Sequence, residues 1–306
     1  MGMKTMVYLI LAAALAATMA GASEVPVVSN VLGPEGPLVV DGDLYYVAWI
    51  SNTLSRWDGK TSTVLNITPG CETNGLAITQ RNTFLVACDD IKGAILELDR
   101  TGKQIRRWDA DRQGRKFDGG INDIVVAANG AAYATLSGPY VDPPAAVMGK
   151  IFYLAPQARE WVEVAGDLNF ANGIGISPDQ KTLYVSETVA NSIKKFTINA
   201  DGTLSNRWNF AQLNVLVKNK IESRQIGPDS MKIDRHGNIY VAQWLGGKVL
   251  KISPQGDLLH VFTIAAGDGT TNVALDLGEK NLYVTTVKNP DDPRFPGSIL
   301  KVPNVD

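Results

Sequence analysis

A unit of thirteen or fourteen residues recurs six times along this chain, and that repetition limits the fold more than any other feature. Each copy is a polar residue, a short apolar strand, a turn, and a second strand centred on an aromatic residue or leucine. The copies read EGPLVVDGDLYYV from Glu35, NGLAITQRNTFLV from Asn74, NDIVVAANGAAYA from Asn122, NGIGISPDQKTLYV from Asn172, DSMKIDRHGNIYV from Asp229 and NVALDLGEKNLYV from Asn272. Turns such as Asp41-Gly42, Asn129-Gly130 and His236-Gly237-Asn238 accept positive φ and suit tight hairpins. A third strand follows most copies, as in NTLSRWD and SILKVP, and several run into a fourth, as in KQIRRWD and DLLHVFT.

Successive copies start 39 to 57 residues apart. Four strands at that period predict an all-β fold, a six-bladed β-propeller forming one domain over residues 23–306. The sixth copy has only three strands after this division, while the β-branched segment Val25–Leu32 has no blade of its own. It is therefore expected as the outer strand of blade six, which removes an open edge and closes the ring.

Residues 1–22 are different. Lys4 precedes an apolar run over 6–17, and Ala20-Gly21-Ala22 offers small residues for cleavage. This pattern predicts a signal peptide and a periplasmic or secreted protein, because the run is shorter than the roughly 20 residues of a spanning helix. After cleavage no membrane association is expected. In such a compartment Cys71 and Cys88 can form a disulfide or remain two separate buried thiols, and the sequence leaves both open. A net charge of -2 with scattered Lys and Arg leaves no basic surplus for phosphates, which argues against nucleic acid.

In a propeller the innermost strands start at one face, so the six leading residues converge on the axis. Here they are Glu35, Asn74, Asn122, Asn172, Asp229 and Asn272, all carboxylates or amides. A ring of oxygen donors without histidine or cysteine suits a hard divalent cation, calcium ahead of magnesium or zinc. Two carboxylates also balance the double charge. Asn-Gly at 74 and 172 can be read as plain turn residues, but that reading does not account for an acid or amide at all six positions.

With these residues in view, the chain resembles the gluconolactonase and regucalcin (senescence marker protein) family of six-bladed propeller lactonases. The resemblance rests on Gly33-Pro34-Glu35-Gly36-Pro37, Ile121-Asn122-Asp123, Ala171-Asn172-Gly173 with Ser177-Pro178-Asp179, and above all Gly227-Pro228-Asp229-Ser230-Met231. It implies that Glu35, Asn172 and Asp229 bind a catalytic metal, with Asn122 joining them or touching substrate. There are departures. An arginine that grips sugar hydroxyls in the family is replaced by Gly120, and an acidic residue expected after the next strand is replaced near Ser137-Gly138. A less polar lactone or another ester is then the expected substrate.

The expected chemistry is attack of a metal-activated water on an ester carbonyl, with Asp229 as general base or as a pure metal ligand. Asn74, Asn122 and Asn272 are assigned to substrate, with Asn74 and Asn122 orienting substrate or water or else completing the metal shell. Neither His236, in a turn, nor His260, in an outer strand, is expected at the channel, and Gly-x-Ser-x-Gly is absent. Loops 137–148, 211–226 and 287–296 are candidates for a lid or plain surface loops, and Trp49, Trp244 and Tyr140 for pocket walls or packing between blades. A phosphotriesterase- or arylesterase-like hydrolase and a non-catalytic ligand-binding propeller are the rival readings.

Overall fold

A computed structural model describes residues 24–140, 147–217 and 226–305. The leader over 1–22 lies outside the described residues, as do 141–146 and 218–225 of two candidate lid loops. The described residues form six four-stranded antiparallel sheets, and their one helix is a single turn at Leu213–Leu216. This is the expected six-bladed propeller. In blade one the strands run outward as Pro34–Val40, Asp43–Ala48, Thr53–Trp57 and Ser62–Ile67. The innermost strands of the other five are Thr73–Ile78, Ile121–Val126, Ala171–Ile176, Gly227–Ile233 and Gly269–Leu275.

Blade six closes as expected. Val25–Leu32 pairs antiparallel with Pro296–Pro303, outside Asn281–Val287 and Gly269–Leu275. The junction is reinforced, since the Glu24 carboxylate accepts from the amides of Ala265 and Ala266, and Thr271 Oγ1 donates to Pro34 O at 2.8 Å.

Apolar burial follows the ring. Each of the six core clusters joins two adjacent blades, as where Tyr45, Val47 and Leu54 of blade one meet Leu76, Phe84 and Val86 of blade two. Every blade thus buries both faces against neighbours, and no blade has a core of its own.

Cys71 and Cys88 form a disulfide with Cα atoms 4.5 Å apart, resolving the alternative the sequence left open. The bridge joins the lead-in of blade two's inner strand to the end of its second strand, inside the cluster between blades one and two. For a 17-residue separation, loop-closure entropy puts its contribution at about 3 kcal/mol. The Cys71→Ala/Cys88→Ala protein is expected to lose stability on that order in urea unfolding; an unchanged midpoint would show that the bridge adds nothing.

Candidate functional site

The innermost strands share a local irregularity that builds the site. In five blades the ladder skips two residues near the start: between Glu35 and Leu38, Thr73 and Leu76, Ile121 and Ile124, Ala171 and Ile174, and Pro228 and Met231. Such bulges re-aim side chains. In four blades the skipped pair contains the leader, Asn74, Asn122, Asn172 or Asp229, which leaves the ladder at the channel mouth, while Glu35 is the last paired residue before its bulge.

The glycines after two of the leaders have a steric reason. A β-carbon at Gly75 would sit 2.5 Å from Asp123 Cα, and one at Gly173 would sit 2.5 Å from Ser230 Cα. The leading segments of adjacent blades touch backbone to backbone at the axis, so Asn-Gly here belongs to strands rather than turns. Hydroxyls tie the same junctions: Thr135 Oγ1 donates to Asn172 O at 2.6 Å, and Ser186 Oγ to Asp229 O at 2.7 Å.

Glu35, Asn74, Asn122, Asn172 and Asp229 line one cavity of about 270 Å³. Asn272 does not. In blade six the ladder skips only Thr271, so Thr271 reaches the cavity wall and Asn272 points behind Glu35. Its Nδ2 donates to Glu35 Oε2 at 2.7 Å, and its Oδ1 accepts from Val273 N at 2.8 Å. Asn272, expected to meet substrate, instead orients the first carboxylate.

A second ring of cavity residues comes from the ends of the second strands: Trp49, Asp89, Thr188 and Trp244. Asp89 and its neighbour Glu72 escaped the sequence reading, which followed only the leaders. The signal for Asp89 was present, because Trp49, Asp89, Thr188 and Trp244 follow their leaders at nearly constant distance, whereas Glu72 precedes Asn74 and has no such mark. Asp89 also explains Gly120. Any β-carbon at position 120 would overlap the Asp89 carboxylate and main-chain oxygen, so a carboxylate fills the room an arginine side chain would need.

The electrostatics are one-sided. Glu35, Glu72, Asp89 and Asp229 line the cavity, and among the described lining residues none is basic. Burial, reinforced by the Asp123 carboxylate, pushes Glu35 up to about 8 despite its bonds from Asn272 and Gly36. Burial and then Glu35 hold Asp229 well above the usual carboxylate range. Burial followed by Glu72 and Glu35 does the same for Asp89, and burial with Asp90 raises Glu72. Beneath the ring, Asp123 lies 3.8 Å from Lys232 Nζ.

Three buried amide oxygens, Asn74 Oδ1, Asn122 Oδ1 and Asn172 Oδ1, have no hydrogen-bond partner. Buried acceptors are rarely left so, and three around one cavity need a donor or a cation. Carboxylates short of positive charge beside unpartnered amide oxygens fit a hard divalent ion. Among the described residues no three His, Cys, Asp or Glu side chains gather as a metal cluster, because the donors here are largely amides.

The outer wall is aromatic. Trp49 and Trp244 pack on Phe295 at 5.4 and 6.5 Å between ring centroids, and Tyr140 meets Phe170 at 5.0 Å across the rim. Phe295 comes from the loop over 287–296, which thus supports the pocket wall. His236 sits in its hairpin turn beside Arg235, and His260 packs on Phe262 in an outer strand, both away from the cavity.

Comparison with known proteins agrees with this architecture. A family model described as the SMP-30/Gluconolactonase/LRE-like region matches residues 33–288. Lactonase drp35 from a Staphylococcus aureus strain is 32% identical over 136 residues, 44% of this chain and 39% of that protein. The Staphylococcus epidermidis protein is 28% identical over 175 residues, 56% of this chain and 50% of its own. The chain thus spans half or less of the length of these curated relatives. A gluconolactonase structure from Xanthomonas campestris superposes with a TM-score of 0.75 at 24% identity, covering 95% of this chain and 93% of that one. Regucalcin from Agrobacterium tumefaciens, described as a calcium-binding protein, superposes with a TM-score of 0.71 at 21% identity, covering 90% of each. At these identities the two structures bear on the fold alone.

Proposed function

The chain belongs to the SMP-30/gluconolactonase/LRE-like family, and from that membership and the geometry of its cavity we propose that it is a divalent-metal-dependent hydrolase of small lactones, with calcium as the ion. The observation that carries the reading is the convergence of three partnerless amide oxygens and two charge-deficient carboxylates on one cavity. Glu35, Asn122, Asn172 and Asp229 would hold the ion, with Asn74 beside them.

When bound, the ion supplies a Lewis acid that polarises the ester carbonyl and stabilises negative charge on its oxygen. The protein's own part is positional. Asn272 fixes Glu35, and the bulged strands hold the amides in place. Asp229, at the cavity wall, is the candidate to take a proton from the attacking water. Trp49, Trp244, Tyr140 and Phe170 exclude water from the rim and offer flat apolar surfaces to the body of the substrate.

The same wall narrows the substrate. With no basic group among the described lining residues and the Asp89 carboxylate beside Gly120, the cavity suits a neutral, apolar-bodied lactone better than a sugar lactone. Hydrolysis of a benzo-fused δ-lactone, glucono-δ-lactone, an aryl ester and a phosphotriester, each with calcium and with chelator, tests this. Calcium-dependent opening of the benzo-fused lactone is expected to exceed that of the sugar lactone, and Trp244→Ala to raise its KM about tenfold through lost ring contact. Faster turnover of the phosphotriester would move the activity to that class. Inactivity toward all four would leave a ligand-binding propeller.

A further inference from the structure

An asparagine can hold either its oxygen or its NH₂ toward a cation, and only the oxygen binds one. The surrounding hydrogen bonds must therefore decide each flip. Around this cavity the decision is made by carboxylates. Asn272 donates to Glu35, and Asn172 hydrogen-bonds Asp229. Asn74 Nδ2 donates to Asp89 Oδ2 at 3.4 Å, and Asn122 hydrogen-bonds the same carboxylate. Asn74 Oδ1 and Asn122 Oδ1 have no hydrogen-bond partner, so both amides present nitrogen to Asp89 and leave their oxygens to the cavity.

Asp89 is itself held firmly. Its main-chain N donates to Glu72 O at 3.1 Å, it follows the disulfide-bonded Cys88, and Gly120 leaves its carboxylate just enough room. We propose that Asp89 is a positioning residue for the cation site, fixing Asn74 and Asn122 with their oxygens toward the ion. The proposal rests on reading the ring as a divalent-cation site.

Asp89→Asn keeps the shape but adds an NH₂, which lets one of the two amides turn over. Calcium affinity, measured by isothermal titration calorimetry, is expected to fall about 10- to 100-fold, the usual cost of losing a ligand-orienting partner. The melting temperature of the chelated protein should hold or rise, because a buried carboxylate is gone. A purely structural role for Asp89 would lower that melting temperature and leave affinity unchanged.

Two controls separate orientation from loss of charge. Gly120→Ala displaces the Asp89 carboxylate without altering charge, and it too should weaken calcium binding; unchanged affinity would overturn the proposal. In an Asn74→Ala/Asn122→Ala background, Asp89→Asn should cost little further affinity, because the groups it acts through are absent. An equal cost in both backgrounds would assign the effect to charge alone. Should the Asp89→Asn chain fail to fold, Gly120→Ala still decides. If the parent protein takes up no calcium, the reading of the ring falls and this proposal with it. If the parent binds calcium and Asp89→Asn binds it equally well, only the proposal falls.

Discussion

Asp229→Asn is expected to abolish most lactone hydrolysis, lowering kcat by about 10²- to 10⁴-fold, the range typical of a lost general base. The backbone that carries Asp229 does not depend on its carboxylate. Its main-chain oxygen accepts from Ser186, and its neighbour Ser230 packs against Gly173. The isosteric change therefore leaves the strand in place and removes only charge and basicity. Saturating calcium separates the two roles open to this residue. If Asp229 only holds the ion, excess calcium restores turnover. If it also takes the proton, turnover stays low and the acidic limb of the pH profile disappears. Full activity without added calcium would remove Asp229 from the site altogether.

Chelation should yield a protein whose stability falls as pH rises. Glu35 has an ordinary value of 4.5 and is pushed to about 8 in the folded, ion-free chain. Between those values the folded state holds a proton that the unfolded state has released, so raising the pH favours unfolding. The stabilisation is full below the unfolded value and is lost as pH climbs through the folded one. At one pKa unit per 1.36 kcal/mol, the swing is on the order of a few kcal/mol, and Asp229 shifts in the same direction. Urea midpoints of chelated protein should drop from pH 5 to pH 8. Calcium should restore the loss at pH 8, by about 2.7 kcal/mol at a hundredfold excess over its Kd, and do little at pH 5. A chelated protein that is most stable at pH 8 would contradict the charge deficit inferred for the cavity.

Much of this architecture could be read from the chain because repetition makes it redundant. Six copies of one hairpin predict six blades, and the unassigned segment Val25–Leu32 has only one edge left to fill. Five of the six leading residues meet at one cavity for the same reason. Asn272 escapes because its strand skips one residue where the others skip two, a difference in backbone register with no mark in composition. Asp89 is not legible from the strand starts, since its place depends on where the second strand ends, and Glu72 stands one residue ahead of the first strand, outside the repeated unit. The disulfide needed a distance between two segments, which residue order alone does not supply.

Ring closure also sets an order of events. Glu35 belongs to the first blade, but the amide that orients it, Asn272, belongs to the last, whose sheet is sealed by Val25–Leu32. A growing polypeptide emits the carboxylate long before its partner exists. On the proposed reading of the ring, ion capture would be postponed until the two halves of the junction meet, and a half-assembled chain would offer a lone acid in place of a shaped cage. Occupancy by the cation would then serve as a readout of completed folding.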